Sequence, residues 1–169
     1  MRRVTVAARL PTTREAALDA LTPERLLELE GTYEVTGVEE TPDGWRVSGR
    51  AQGGDNRKVT VAVRELADGY AYESVEGGFL DVCRTTVRVD VPPADSEAPV
   101  LGDPEVVEAA GGTVRVRWES EFTTGGTFSF IVDWLYASNR RTELEQAARR
   151  LAADLGVVGG NSGESEAAE

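Results

Sequence analysis

The sequence has no histidine, one cysteine, one lysine and no apolar run near the ~20 residues that a bilayer span requires. Without histidine, Ser-His-Asp and Cys-His nucleophile chemistry are excluded, and transition metals lose their commonest ligand. Cys83 is alone, so no internal disulfide can form and no cysteine cluster can hold zinc. The longest apolar stretch, FIVDWLYA, is interrupted by Asp133. The N-terminal MRRVTVAARLPTT alternates as a strand does and lacks the continuous apolar core of a secretion signal. A cytoplasmic location and no stable membrane insertion are therefore expected. No Gly-Gly pair precedes Lys-Ser/Thr or sits in a dinucleotide pattern, and no calcium loop is present. No cofactor, metal or catalytic residue is expected on these grounds.

Positive charge is also scarce. The net charge is -12, and Lys58 stands against 17 arginines. This balance argues against nucleic acid or an anionic membrane surface as a main partner. The carboxylates are concentrated: residues 92–111 hold Asp95, Glu97, Asp103, Glu105 and Glu108, and the last fourteen residues add Glu164, Glu166 and Glu169, with no basic residue in either stretch. Such an acidic, lysine-poor chain fits a halophilic source; a GC-rich genome that favours arginine codons fits equally well.

What the chain does have is pattern. A length of 169 residues with 40% hydrophobic content suits one domain with a sizeable core. Residues 128–155 read as one long amphipathic helix, ~42 Å at 1.5 Å per residue. Its apolar stripe is Phe130, Ile131, Trp134, Leu135, Leu144, Ala148, Leu151 and Leu155, with Ser138 and Arg141 on or beside it. Thr127 or Ser129 can cap its start, and Gly156 follows it where a left-handed residue is wanted. Almost everything earlier reads as strand. Residues 4–10 alternate around Val4, Val6, Ala8 and Leu10. Two short helices follow, one opened by a capping-box pattern at Thr12 and Glu15, the other by Thr22-Pro23 and ended at Gly31. Strands at 33–40, 45–52, 57–66, 70–76, 79–91 and 112–124 are separated by turn signals such as Pro42-Asp43-Gly44 and Ala67-Asp68-Gly69. Their apolar/charged alternation describes antiparallel sheet with one wet face. The acidic 92–111 segment reads as a loop with a short ordered piece at Val106-Val107. Residues 157–169 read as an acidic disordered tail beyond a domain at 1–156.

The order is strand, two short helices, about six antiparallel strands and a long C-terminal helix. With the stretches VTVAARLPTTREAALDAL, TPERLLEL and GGTVRVRWES and the closing helix, it resembles the helix-grip fold of the START-like (SRPBCC) superfamily. That group holds polyketide cyclases/dehydrases, lipid-transfer domains, pollen allergens and a type associated with carbon-monoxide dehydrogenase. The resemblance covers about residues 1–156 and implies an α+β fold in which a curved sheet of about seven strands wraps the C-terminal helix. It also implies a pocket between the two.

Strand alternation then nominates Trp45, Tyr72, Ser74, Cys83, Thr85, Trp118, Ser120 and Phe122 as concave-face residues, joined by Phe130 and Trp134 from the helix. Aromatic walls with a few hydroxyls suit an apolar ligand with one polar end; the same residues also serve as plain core. The other face of strand 70–76, with Ala71, Glu73 and Val75, is an equally open choice for the inside. Glu73, Glu76 and Asp81 are the acids expected nearest the cavity, where burial would raise a carboxyl pKa for acid-base work; solvated strand-end charges are the simpler reading. Arg140 and Arg141 can pair with a ligand carboxylate or, as a solvated face, with neighbours such as Glu145. Cys83 is expected to be a small buried thiol. Three functions are compatible with this pattern: a carrier of a small hydrophobic molecule such as a lipid, polyketide or isoprenoid; a cyclase/dehydrase-type enzyme using Tyr, Glu or Asp in the same cavity; and an interaction module of the co-chaperone kind. The sequence leaves the oligomeric state open.

Overall fold

The computed structural model of the chain describes residues 1–54, 56–78, 80–125 and 129–158, the side chains of Ser129 and Phe130 excepted. Strand β1 (Arg2–Leu10) is followed by helices α1 (Arg14–Ala20) and α2 (Pro23–Glu30). Then come β2 (Tyr33–Thr41), β3 (Gly44–Ala51), β4 (Lys58–Leu66), β5 (Gly69–Gly77) and β6 (Val82–Asp90). A short helix α3 (Pro104–Ala110), strand β7 (Val114–Thr123) and the long helix α4 (Ser129–Asp154) complete the order. The strands form one antiparallel sheet ordered β1-β7-β6-β5-β4-β3-β2. Register irregularities between Val35 and Gly37 and between Thr60 and Val61 mark the bulges that help such a sheet bend.

Alternation decides which face is inside. Val4, Val6, Ala8 and Leu10 of β1, Val59, Val61 and Val63 of β4, and Val114, Val116, Trp118 and Phe122 of β7 are all buried. They form one core with Leu144, Ala147, Ala148 and Leu151 of α4. Tyr72 is buried and Val75 is exposed, so Tyr70, Tyr72 and Ser74 make the inner face of β5. Gly49 of β3 lies under α2: a Cβ there would meet Leu27 Cδ2 at 2.9 Å, so the missing side chain lets the helix sit on the sheet.

The local signals are mostly where the sequence puts them, with corrections. Thr22 caps α2, its hydroxyl accepting from Arg25 N at 3.2 Å, with Pro23 in the first turn and Gly31 left-handed at the end. For α1 the cap is Thr13, accepting from Ala16 N at 3.1 Å, one residue beyond the expected Thr12. Thr127 and the side chain of Ser129 lie outside the described residues. In the acidic segment, α3 includes the Val106-Val107 piece expected to be ordered, and the stretch before it runs along the outer edge of β1: Arg9 N donates to Pro99 O at 2.8 Å and Leu101 N to Arg9 O at 2.9 Å. An otherwise open strand edge is thereby covered. Just past Gly156, Val157 is buried and its carbonyl accepts from Asp103 N at 2.8 Å. Residues 159–169, most of the expected disordered tail, lie outside the described residues.

The phase of α4 is the main correction. Its buried face runs through Asp133, Arg140, Leu144, Ala147, Ala148 and Leu151, with Tyr136 and Ala137 half-buried. Ile131, Val132, Trp134 and Leu135 face solvent, Trp134 at 63% exposure. Asp133 fixes this orientation: its carboxylate accepts from Thr124 N at 2.7 Å and Thr124 Oγ1 at 2.9 Å, tying the first turns of α4 to the end of β7. Burial pushes the Asp133 pKa up, but the hydrogen bonds from Thr124 and Thr123 overrule it, with help from the N-terminal ammonium, and the net direction is down. A carboxylate held this way stabilises the fold above the ordinary carboxyl pKa, and that contribution is lost as pH falls through the lowered value. Asp133→Ala is expected to cost about 1–3 kcal/mol at pH 7, with the difference from the unaltered chain shrinking toward pH 2–3. Denaturant unfolding at both pH values checks it; a pH-independent difference would contradict the role.

Candidate functional site

Between the concave face, α2 and α4 lies a cavity of about 50 Å³ with an opening to solvent. Its apolar walls are Leu27 of α2, Val59 and Val61 of β4, Leu80, and the ring of Tyr136. Its polar lining is Glu30, Thr32, Tyr33, Tyr72, Ser74, Cys83, Arg140 and Glu143. The carboxylate of Glu30 comes from the last residue of α2, an end held in place by Arg150 of α4, whose Nη1 donates to Leu29 O at 2.6 Å. Arg25 and Asp154 clamp the same two helices at 2.6 Å.

Arg140 is the centre of the polar cluster, 3% exposed in its side chain against 7% for Glu30. Its Nη2 donates to Glu30 Oε1 at 2.7 Å and to Thr85 Oγ1 at 2.8 Å. Its Nη1 donates to Glu30 Oε2 at 2.8 Å and to Glu143 Oε2 at 3.0 Å. Its Nε donates to Ser120 Oγ at 3.0 Å, and Thr85 and Ser120 are themselves hydrogen-bonded at 3.0 Å. Tyr72 adds a phenol donor to Glu30 Oε1 at 2.6 Å, and Thr32 donates to Glu143 Oε1 at 3.2 Å.

The electrostatics follow from this geometry. Burial works against the charge of Arg140, but Glu30 outweighs it, and the guanidinium stays protonated. Burial and then the Glu30 carboxylate push the Tyr72 phenol well above its ordinary range, so it donates a hydrogen bond and does not give up its proton near neutrality. Burial raises the Tyr33 phenol to about 12, and burial, with Glu143 beside it, also raises Tyr136. Burial pushes the Cys83 thiol up, against the pull of Arg140, which leaves it a weak nucleophile.

The nominated residues divide into groups. Tyr72, Ser74 and Cys83 line the cavity. Thr85 and Ser120 are buried beside it and hold the guanidinium. Trp118 and Phe122 are core, Phe122 standing edge-on to Tyr136 with ring centroids 5.2 Å apart. Trp45 is not in the cavity lining but sits edge-on to Tyr70 at 6.2 Å, on a larger, more open depression of about 420 Å³ shared with Ala62, Ala71, Arg64 and Arg84. Trp134 points to solvent, a correction that follows from the phase of α4, and the side chain of Phe130 lies outside the described residues. Glu73 pairs with Arg84 at 2.9 Å on the outer face, and Glu76 and Asp81 are exposed, so none is the cavity's acid. The lining acids are Glu30 and Glu143, both of which sequence reasoning missed. Arg140, read as part of a solvated face, is buried; Arg141 is exposed.

No protein-family model matches this sequence, and no curated protein sequence matches it. Solved structures do. A START superfamily protein from Mycobacterium smegmatis aligns with a TM-score of 0.59 at 13% identity, over 90% of this chain and 98% of its own. The protein XoxI from Bacillus cereus aligns at 0.56 and 14%, over 92% and 99%. Norcoclaurine synthase from Thalictrum flavum, solved with dopamine and hydroxybenzaldehyde, aligns at 0.55 and 12%, over 90% and 87%. At such identities the likeness is one of architecture, and the chain has the START-like helix-grip fold.

Proposed function

We propose that the protein binds a small hydrophobic molecule with one polar end between its sheet and α4. The observation that carries this reading is the cavity itself: apolar walls from α2, β4 and Leu80 meet a single buried polar cluster at Arg140. A space of 50 Å³ holds only a few waters, whereas ligand sites usually measure about 300–1,000 Å³. Occupation therefore requires an opening step. Tyr136 is the natural side chain to move, since it forms one wall, is only half-buried and follows directly on the exposed Trp134 and Leu135. Native mass spectrometry with organic extraction would identify any molecule carried by the purified protein.

A defined probe tests the site directly. Decan-1-ol is expected to shift the amide resonances of Leu27, Val61, Tyr72 and Tyr136, and Tyr136→Ala is expected to bind it several-fold more tightly by enlarging the space. Shifts confined to other surfaces, or none in either protein, would overturn the reading.

Two other functions have an observation each. The 2.6 Å contact between Tyr72 and Glu30 places ionisable groups at the cavity, as an acid-base enzyme requires. They are bonded to each other, and Glu30 is also held by Arg140, which suits binding better than proton transfer. The exposed quartet Ile131, Val132, Trp134 and Leu135 is the kind of surface an interaction module presents. Capture of a protein partner, abolished by Trp134→Glu with decan-1-ol binding intact, would favour that module.

A further inference from the structure

We infer that the cavity selects a ligand whose polar end is a primary ammonium and rejects carboxylates and phosphates. The inference rests on the binding reading above and specifies its chemistry. A guanidinium has five N–H donors, and every one on Arg140 is spent: two on Glu30, one each on Glu143, Thr85 and Ser120. An incoming anion would have to expel a carboxylate from Arg140 and leave that carboxylate unpaired in a buried place. Among the described lining residues Arg140 is the one cation, against the two carboxylates of Glu30 and Glu143. Arg57 acts on Tyr33 but does not line the cavity.

Acceptors, by contrast, remain. Two carboxylates offer about eight lone-pair positions. Among the described residues, three are used on Glu30 and two on Glu143. Glu143 also stands nearer the solvent, with 22% of its side chain exposed, where an entering headgroup meets it first. An ammonium can donate there without displacing any existing bond, and it cancels the excess negative charge. A hydroxyl can donate too, but it cancels nothing.

Three probes of equal chain length separate these possibilities: decylammonium, decan-1-ol and decanoate, titrated into the full chain at pH 7 and 0.15 M salt to screen the overall negative charge. The expected order of affinity is decylammonium, then decan-1-ol, with decanoate weakest. Glu143→Gln keeps an acceptor for Arg140 and is expected to weaken decylammonium about five- to tenfold, well beyond its effect on the uncharged decan-1-ol. Glu145→Gln, a surface control on the same helix, is expected to change neither. Decanoate binding as tightly as decylammonium, or decylammonium indifferent to Glu143→Gln, would overturn the inference while the binding reading stood. Failure of all three probes would overturn the binding reading, and the inference with it. The ranking on the unaltered chain stands even if a variant folds poorly.

Discussion

Arg140→Leu is expected to lower the unfolding free energy by about 3–5 kcal/mol, the range for removing one partner of a buried ion pair. The loss comes from what is left behind. Glu30 would stay 7% exposed with only the Tyr72 hydroxyl for company, and Thr85 and Ser120 would each lose a charged donor. Against a typical domain stability of about 5–15 kcal/mol, the change is large enough to unfold much of the population on mild heating. Lysine at this position offers three donors on a point charge and cannot reproduce the bidentate grip on Glu30, so Arg140→Lys is expected to recover part of the loss at most. A combined Arg140→Leu, Glu30→Leu, Tyr72→Phe chain removes the charges together with the donor that served them. It is expected to be more stable than Arg140→Leu alone. Denaturant unfolding of the three chains measures this. An Arg140→Leu chain within about 1 kcal/mol of the unaltered protein would show that the cluster is wetter and weaker than its geometry indicates.

The same cluster marks the border of what the sequence reveals. Strands are legible because burial on one face imposes a period of two: Val59, Val61 and Val63 alternate with Lys58, Thr60, Ala62 and Arg64 in β4, and all three valines are buried. The inner face of β5 is undecidable from pattern alone, since Ala71, Glu73 and Val75 make as plausible an inside as Tyr70, Tyr72 and Ser74. The second half of α4 is legible for the same reason as the strands: Leu144, Ala148 and Leu151 form the buried stripe.

The first half of α4 misleads because its inward positions are Asp133, Tyr136 and Arg140, while its apolar residues face water. Hydropathy cannot assign a buried face that is polar. A signal was nonetheless present. Counting back from Leu144 in steps of three and four lands on Arg140, Ala137 and Asp133, out of phase with Trp134 and Leu135. Following the phase of the reliable half, rather than the apolar residues of the other, finds Arg140. Glu30 carries no comparable signal. A glutamate at the end of a short helix is ordinarily solvated, and only the sheet and α4 closing over it make it a buried partner.

Trp118→Ala is expected to be the most costly single core truncation, about 3–5 kcal/mol, because a large side chain is removed from a place that cannot collapse. Trp118 is 1% exposed in the middle of β7, with Val6 of β1 opposite it on one side and Val87 of β6 on the other. The backbone on both sides is held by continuous ladders, so the vacated space stays open. Trp134→Ala is expected to change stability by no more than about 0.5 kcal/mol, since that ring stands 63% exposed on α4. Both tryptophans belong to the aromatic set that alternation and helical spacing nominate for a pocket wall, and neither lines the cavity. Trp118→Phe should therefore keep decan-1-ol binding while losing stability, which separates a packing role from ligand contact. Unfolding curves for the two alanine variants are the decisive pair. A large loss at Trp134 beside a small one at Trp118 would require α4 to turn its apolar quartet inward. A rotation of that size would also carry Arg140 off Glu30, so the two experiments test one geometry from opposite ends.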